Sequence, residues 1–436
     1  RQSNEHPRTQ HHEWLRGLVR FARSSSSSSS SISAIDRRLV DDVLSDRALI
    51  LAPMVDASDL PFRLLCRRYG TDICYTPMIH AKMFTTMDGY RRKFWKNDRF
   101  RLDNLEPSSD RPLIVQFCGS DPEIMLAAAK IVQSDCDAVD INCGCPQNIA
   151  KRGHYGAYLL DHGDELVEVV RTMASGLEVP LCVKVRLLPG VGVEESIKLY
   201  EKMIDAGAAL LTIHGRTRLQ RGNDTGSCDW DAIAEVVRRL GHRVPIIANG
   251  GISNLDDVIS CIKRTGAHGV MSSEAILEYP AAFNDTGTVA TSGRRTGPGR
   301  LHLAREYLDL VKRFPPDEAG QGSGFKCVKS HLHRMLHHDL QTETSLRDAL
   351  ENCEEYDDFY GILNSVEKLH DQMGHAVKEE KLSWYMRHRV LEENGLSAME
   401  NKKIRERIGG GAAPDSDDET GRCMLSLFDD DDHDEW

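Results

Sequence analysis

Ala138-Val139-Asp140-Ile141-Asn142-Cys143-Gly144-Cys145-Pro146-Gln147 is a short buried strand with a sudden end. Residues 138–142 have the apolar run expected of such a strand, and Gly144 and Pro146 stop it within a few positions, so Cys145 is presented on a loop. The same unit recurs on both sides. Val/Ile/Leu-rich runs at 49–51, 72–75, 113–117, 138–142, 181–186, 210–215, 245–250 and 269–273 are each followed by a glycine or polar turn and a segment of helical periodicity. Strands alternating with helices imply parallel pairing through right-handed crossovers, and eight such units over this length predict an α/β fold, a closed (β/α)8 TIM barrel. The competing open, doubly wound sheet lacks its usual mark, because no G-x-G-x-x-G follows the first run.

Polar residues collect where those runs end. Gln116 ends the third, Asn142 and Cys145 the fourth, Lys184 and Arg186 the fifth, His214 and Arg216 the sixth and Asn249 the seventh. Strand interiors are otherwise Val, Ile, Leu and Ala, and packing alone does not call for polar groups that cost free energy when buried. Catalytic groups of this barrel sit at the C-terminal strand ends, so the convergence marks a site. In VKVR, alternation puts Lys184 and Arg186 on one face, where they call for an anionic or carbonyl-rich ligand; structural salt bridges are the plainer alternative. Gln116 offers a donor and an acceptor, as a loop anchor also would, and His214 alone is equally a satisfied core histidine. Asn249-Gly250-Gly251 and Ser272-Ser273-Glu274 close the last two runs with the small residues that let backbone N–H groups approach a phosphate.

The 436 residues, 40% of them hydrophobic, provide for one large domain and a smaller one. Twelve cysteines without a repeated CxxC indicate neither a disulfide framework nor a zinc ribbon, so a reducing compartment and no metal are expected. The net charge of −12 misleads about anionic partners, since the end of the chain, with Asp429 to Asp432 consecutive, carries much of it. No apolar run approaches the roughly 20 residues that cross a bilayer, so no membrane partner is expected. We divide the chain into a basic, serine-rich low-complexity segment (1–44), the barrel (45–283), a Gly/Ser/Thr-rich linker (284–300), a helical domain (301–385) and a charged, acidic, disordered tail (386–436). The chain begins at Arg1 without methionine, so its natural start is expected further upstream. WLRGLVRFAR (14–23) has the makings of a basic amphipathic helix of the organelle-targeting kind. A monomer is expected, cytoplasmic or nuclear, with organellar targeting as the alternative.

NCGCPQNIAKRGHYGA (142–157) resembles the active-site segment of the tRNA dihydrouridine synthases, flavoenzymes that reduce the C5=C6 bond of selected uridines. LAPMVDASDLPFRLLCRRYG (51–70) resembles the family's opening motif, LIVQFCGSDP (113–122) and TIHGRT (212–217) its flavin-side segments, and CYTPMIHAKMF (74–84) and GVMSSE (269–274) its eukaryotic branch that modifies the outer D loop. The likeness runs from about Ala48 to Glu278, with a fainter echo in KCVKSHLHRMLHH (326–338). It implies FMN held by Pro53, Met54, Val55, Gln116, Lys184, His214, Asn249, Gly250, Gly251, Ser273 and Glu274, with NADPH or NADH as a transient reductant. It further implies Cys145 as the proton donor, Asn142 orienting the base, and tRNA bound by Arg186, Arg216 and, from the helical domain, Lys326, Lys329 and Arg334. Two departures stand out: the family usually has a large apolar residue at Cys143, and Glu274 sets a carboxylate near the expected phosphate, from which it is expected to point away.

The segment 149–160 after Cys145 is basic and glycine-containing, as a mobile cover over an anionic substrate would be. Lys326, Lys329, His331, His333, Arg334, His337 and His338 read as one basic helix face suited to phosphates. His333 and His337 are four apart, but no Glu follows His333, so no zinc helix is indicated. Two alternatives stay open: another flavin barrel acting on a free pyrimidine, of the dihydroorotate dehydrogenase kind, and a non-catalytic RNA-binding protein on this scaffold.

Overall fold

The computed structural model describes residues 7–25, 43–96, 109–221, 225–284, 298–316 and 324–373. All of them fall inside one compact unit, Arg1–Arg389. Its centre is a parallel sheet of β1 (Ala48–Leu51), β2 (Ile73–Tyr75), β3 (Ile79–His80), β4 (Leu113–Cys118), β5 (Ala138–Cys143), β6 (Leu181–Leu187), β7 (Leu210–Thr217), β8 (Ile246–Asn249) and β9 (Gly269–Ser272). The spatial order is β2-β1-β9-β8-β7-β6-β5-β4-β3, and the additional β2–β4 pairing closes the ring. Eight strands with helices in the crossovers make the (β/α)8 barrel the sequence predicts. The two-residue β3, which pairs with β4 alone, is an addition to it.

Alternation divides every strand between two environments. Val139, Ile141, Cys143, Val183 and Val185 face outward into the shell of helices. Ala138, Cys182, Leu210 and Ile247 face the axis near the N-terminal strand ends. One and two steps further along, register aligns Gln116 with Asp140, Asn142 with Lys184, Arg186 with His214, and His214 with Asn249. The polar residues therefore form one ring at the C-terminal mouth.

The opposite end is plugged. A helix, Pro7–Ser25, places Leu15 and Val19, 2% and 1% exposed, in the apolar cluster with Ala48, Ile114 and Ala138. Two such side chains contribute about 1.5–3 kcal/mol each by burial. Arg23 fastens the helix end by donating to both carboxylate oxygens of Asp72, at 2.9 and 3.0 Å, and to the carbonyls of Leu44 and Arg47. The segment expected to be low complexity or a targeting helix thus carries a structural element of the barrel. Its serine run lies outside the described residues.

Beyond the barrel, helices Arg300–Arg313, Phe325–Met335, His337–Thr342, Thr344–Glu351 and Tyr356–Met373 follow. They pack directly on the barrel rather than hanging from it. Arg300 pairs with Glu278 at 2.9 Å with both side chains buried, and the Tyr69 hydroxyl donates to Glu306 at 2.8 Å. Most of the expected linker (285–297) and the tail (386–436) lie outside the described residues. Among those described, no helix is long and apolar enough to cross a membrane.

Candidate active site

Cys145 sits two residues beyond β5, and five hydrogen bonds hold its turn. The Asn142 side-chain oxygen accepts from the backbone N–H of Gly144 and of Cys145, at 3.1 and 2.9 Å. Arg186 donates to the Gly144 carbonyl at 2.8 Å, Ala157 N–H to the Cys145 carbonyl at 2.9 Å, and Tyr158 hydroxyl to the Pro146 carbonyl at 3.2 Å. The segment expected as a mobile cover is a short helix, Asn148–Arg152, and a 3-10 turn, Gly156–Asp161, folded back over the thiol. Gly156 permits this crossing: its φ is +67°, and a Cβ there would lie 2.7 Å from the Cys145 carbonyl oxygen. Beside Cys145 lie Cys118, Tyr155, Met78 and Tyr158, an apolar wall for a flat ring.

Burial raises the Cys145 thiol above its usual value, opposed by a backbone N–H at Gln147 and by the charges of Arg186 and Lys184. It is therefore a protonated thiol at neutral pH, able to give a proton away. Cys143 faces the other way. It is fully buried in the outer shell, so the second thiol does not share the mouth.

Lys184 reaches the mouth next to Gly144. Burial first, and Arg186 second, lower its ammonium to about 8. No hydrogen bond or ion pair to it is present among the described residues, which leaves a cation free for an anionic or carbonyl ligand. The two arginines are used differently. Arg186, 9% exposed, donates to the carbonyls of Gly144, Thr217 and Gln220, and Arg216 to the Gly226 carbonyl. Both brace the loops around the mouth. Arg216 also donates to His214 Nε2 at 3.2 Å, which makes that atom an acceptor and puts the ring proton on Nδ1. Burial and the three nearby cations hold His214 neutral, far below its usual value.

At the last strands, Asn249 donates to the Met271 carbonyl at 3.0 Å. Gly250 and Gly251 follow with φ of +105° and +77°, and a Cβ on Gly250 would stand 2.8 Å from Cys228 Sγ and 3.0 Å from His214. Consecutive left-handed glycines turn backbone N–H groups toward one point, the arrangement that receives phosphate. Ser273 is half-buried there, and Glu274 is exposed yet within electrostatic reach of Arg186. Across the mouth, Pro53, Met54 and Val55 follow β1, with Met54 touching both the inner and the outer apolar cluster. An unpaired ammonium, a glycine cradle and an apolar floor together fit a flat heterocycle with an anionic tail, which is what FMN is.

The helical region reaches this mouth through a buried bolt. Asp59, N-cap of helix Leu60–Arg68, binds His331 Nε2 at 2.8 Å and accepts from Cys327 and Tyr307, while Phe62 stacks on His331. An Asp–Cys–His group invites a metal, but two ligands on a tetrahedral zinc stand about 3.3 Å apart, and 2.8 Å is a hydrogen bond. The expected single basic face is thereby split. His331 is fully buried, His333 pairs with Glu351 at 2.5 Å, Lys329 donates to the Glu351 carbonyl and Arg334 to Ser330 on its own helix, leaving Lys326 exposed. Sequence reasoning missed Asp59 and His80. His80 lies on β3 with its ring edge-on to Tyr155 at 5.5 Å, and only the extra strand brings it there.

Comparison with known proteins now decides the family. The sequence profile of the dihydrouridine synthases matches residues 50–375. The chain belongs to the dihydrouridine synthase family of enzymes. It is 36% identical over 375 residues to a tRNA-dihydrouridine(16/17) synthase [NAD(P)(+)] of Saccharomyces cerevisiae, covering 83% of this chain and 85% of that one. A Schizosaccharomyces pombe protein of the same name is 37% identical over 69% of this chain and 72% of its own. A mouse protein described as like this synthase is 42% identical, and the match spans 58% of its length. The matched span runs from within β1 to beyond helix Tyr356–Met373 and so takes in nearly all of the barrel together with the helices that follow it.

Proposed function

We propose that this protein reduces uridine to 5,6-dihydrouridine in the D loop of tRNA, with FMN at the barrel mouth and NADPH or NADH as reductant. The observation that carries the reading is the Cys145 thiol on a turn braced by Asn142 and Arg186 beside the unpaired Lys184 side chain. Bound FMN supplies the hydride. The residues of the chain do the rest. Lys184, Gln116 and the floor from Pro53 to Val55 hold the heterocycle, and the Asn249-Gly250-Gly251 turn with Ser273 receives its phosphate. The wall of Tyr155 and Tyr158 packs against a uracil turned out of its stack, a step that costs on the order of a few kcal/mol and is cheaper in a loop than in a helix. Asn142 fixes the turn so that Cys145 delivers its proton to uracil C5. Lys326, with Lys329 and Arg334, contacts tRNA phosphates from the helical region. The relatives' names support positions 16 and 17 as the target.

Mapping dihydrouridine in tRNA from cells lacking this protein tests the proposal. Loss confined to the outer D loop is expected. An unchanged dihydrouridine pattern, with the protein's own flavin intact, would favour the free-pyrimidine reading instead.

A further inference from the structure

Asp140 is fully buried on the barrel axis, one step below the ring of mouth residues, and the reaction gives it no part. Its Oδ2 accepts from Gln116 Nε2 at 2.8 Å. Gln116 Oε1 in turn accepts from Asn142 Nδ2 at 2.8 Å, and Asn142 Oδ1 accepts the N–H of Gly144 and of Cys145. Gln116 and Asn142 are amides, which each have one accepting and one donating end, and either could lie flipped. The ionised carboxylate cannot offer the choice, because it only accepts, and when Asp140 is protonated its Oδ2 still accepts from Gln116 while the unpartnered Oδ1 carries the proton. One acceptor at the bottom of the chain therefore settles the orientation of two amides above it.

We propose that Asp140 is the positioning residue of this site: it sets the donor–acceptor order of Gln116 and Asn142 and so holds the turn that presents Cys145. If Gln116 were flipped, its Nε2 would face Asn142 Nδ2, Asn142 would flip in response, and its Nδ2 would face the Cys145 N–H, donor against donor. The carboxylate's surroundings agree with a role not confined to packing. Burial raises Asp140 to about 7, against the hydrogen bond from Gln116 and the charge of Lys184, and its Oδ1 has no hydrogen-bond partner among the described residues. An acidic group kept in such a place at a cost in free energy is retained for its direction of hydrogen bonding.

The inference deepens the proposed function, and its test reads the turn without needing flavin or tRNA. In the full-length protein, the alkylation rate of Cys145 by iodoacetamide is followed by mass spectrometry, with buried Cys143 as internal reference. Asp140→Leu removes the acceptor, and Cys145 should be alkylated about tenfold faster, the effect of losing one net hydrogen bond. Asp140→Asn keeps an acceptor for Gln116 and should stay within about twofold of the natural protein on the same scale. Should Asp140→Leu not fold, Gln116→Leu interrupts the same chain one link higher and should give the same acceleration. In the double variant Gln116→Glu, Asp140→Asn, the first bond is reversed and the order at Asn142 kept, so the slow rate should return. Equal rates in all variants, or an Asp140→Asn as fast as the leucine variant, would overturn the proposal. A protein that fails to take up FMN but shows this ranking would count against the proposed function and leave the relay standing.

Discussion

The two ends of the barrel are built from the same strands and obey opposite rules. At the N-terminal end the axis is filled by Ala48, Ile114, Ala138, Cys182, Leu210 and Ile247, sealed from below by Leu15 and Val19. At the C-terminal end, two or four residues along, the axis carries Gln116, Asp140, Asn142, Lys184, His214 and Asn249. The lower end consists of close-packed apolar surface. The upper end holds charges and amides whose desolvation is repaid only through hydrogen bonds and a ligand. Stability is thus concentrated where there is no chemistry, and the mouth can carry a lysine without a partner because the plugged end holds the barrel shut.

The comparison breaks first at the thiols. Cys145→Ala should slow the reoxidation of reduced flavin by tRNA by about 10²–10⁴-fold, the usual contribution of a positioned acid, while flavin retention stays intact. Cys143→Ala, in the wall, should slow it less than about tenfold, the factor that 1.4 kcal/mol of indirect strain would produce. Equal losses under anaerobic stopped flow would erase the distinction between mouth and shell.

Next comes the plug. Leu15→Ala should lower unfolding free energy by about 3 kcal/mol in urea denaturation, from the lost transfer energy and the cavity left behind. FMN affinity should be unchanged. A variant that unfolds like the natural protein would mean that the N-terminal helix is not part of the barrel's core.

The ends should also respond to pH with opposite signs. At the mouth, the folded-state value of Asp140 is raised to about 7, so the folded form binds the extra proton and its contribution is lost as pH rises through 7. At the bottom, burial and the neighbouring His12 lower His268 to about 4, and its Nδ1 accepts the Ile246 N–H at 3.1 Å. Its contribution is present above the unfolded value of 6.5 and is lost as pH falls toward 4. Asp140 loses its contribution between the unfolded value of 3.8 and about 7, and His268 gains its own between about 4 and 6.5, so the two slopes oppose each other over the same window and largely cancel in the natural protein. Asp140→Asn should leave stability rising with pH across that window and His268→Asn should leave it falling, each by about 1–2 kcal/mol. Slopes unchanged in these variants would assign the pH dependence to other groups.

The smallest effect belongs to the helical region. Replacing Lys326 by Ala should make the log–log dependence of tRNA affinity on salt shallower by roughly one unit, and Lys329→Ala by less, because Lys329 already serves the Glu351 carbonyl. Fluorescence anisotropy at several salt concentrations reads both. Identical slopes would move the RNA contacts elsewhere.

The mouth was legible in the sequence and the bottom was not, for a physical reason. Strand ends are marked by abrupt Gly and Pro, and a Lys, Asn or His where Val is expected stands out without any knowledge of partners. The plug offers no such mark. Leu15 and Val19, four apart on a basic helix, present the same pattern whether the apolar stripe meets a membrane, a receptor or the floor of a barrel. His331 shows the same limit: spacing places it with other basic residues, but only the packing of Cys327, His331 and Met335 on one buried face reveals that it binds Asp59 instead of solvent. Asp140 lies inside the most informative stretch of the chain, yet alternation tells only that it faces inward. Its partner 24 positions earlier is fixed by register alone.

One measurement bears on the central claim most directly. Purified protein is loaded with FMN, reduced with NADPH, freed of excess nucleotide, and mixed anaerobically with tRNA carrying unmodified D-loop uridines; dihydrouridine is then counted by mass spectrometry. The account predicts a single burst equal to the reduced flavin, located in the outer D loop and absent on this time scale with Cys145→Ala. Flavin that is reduced but never reoxidised by tRNA, or a burst of equal rate in the alanine variant, would contradict it.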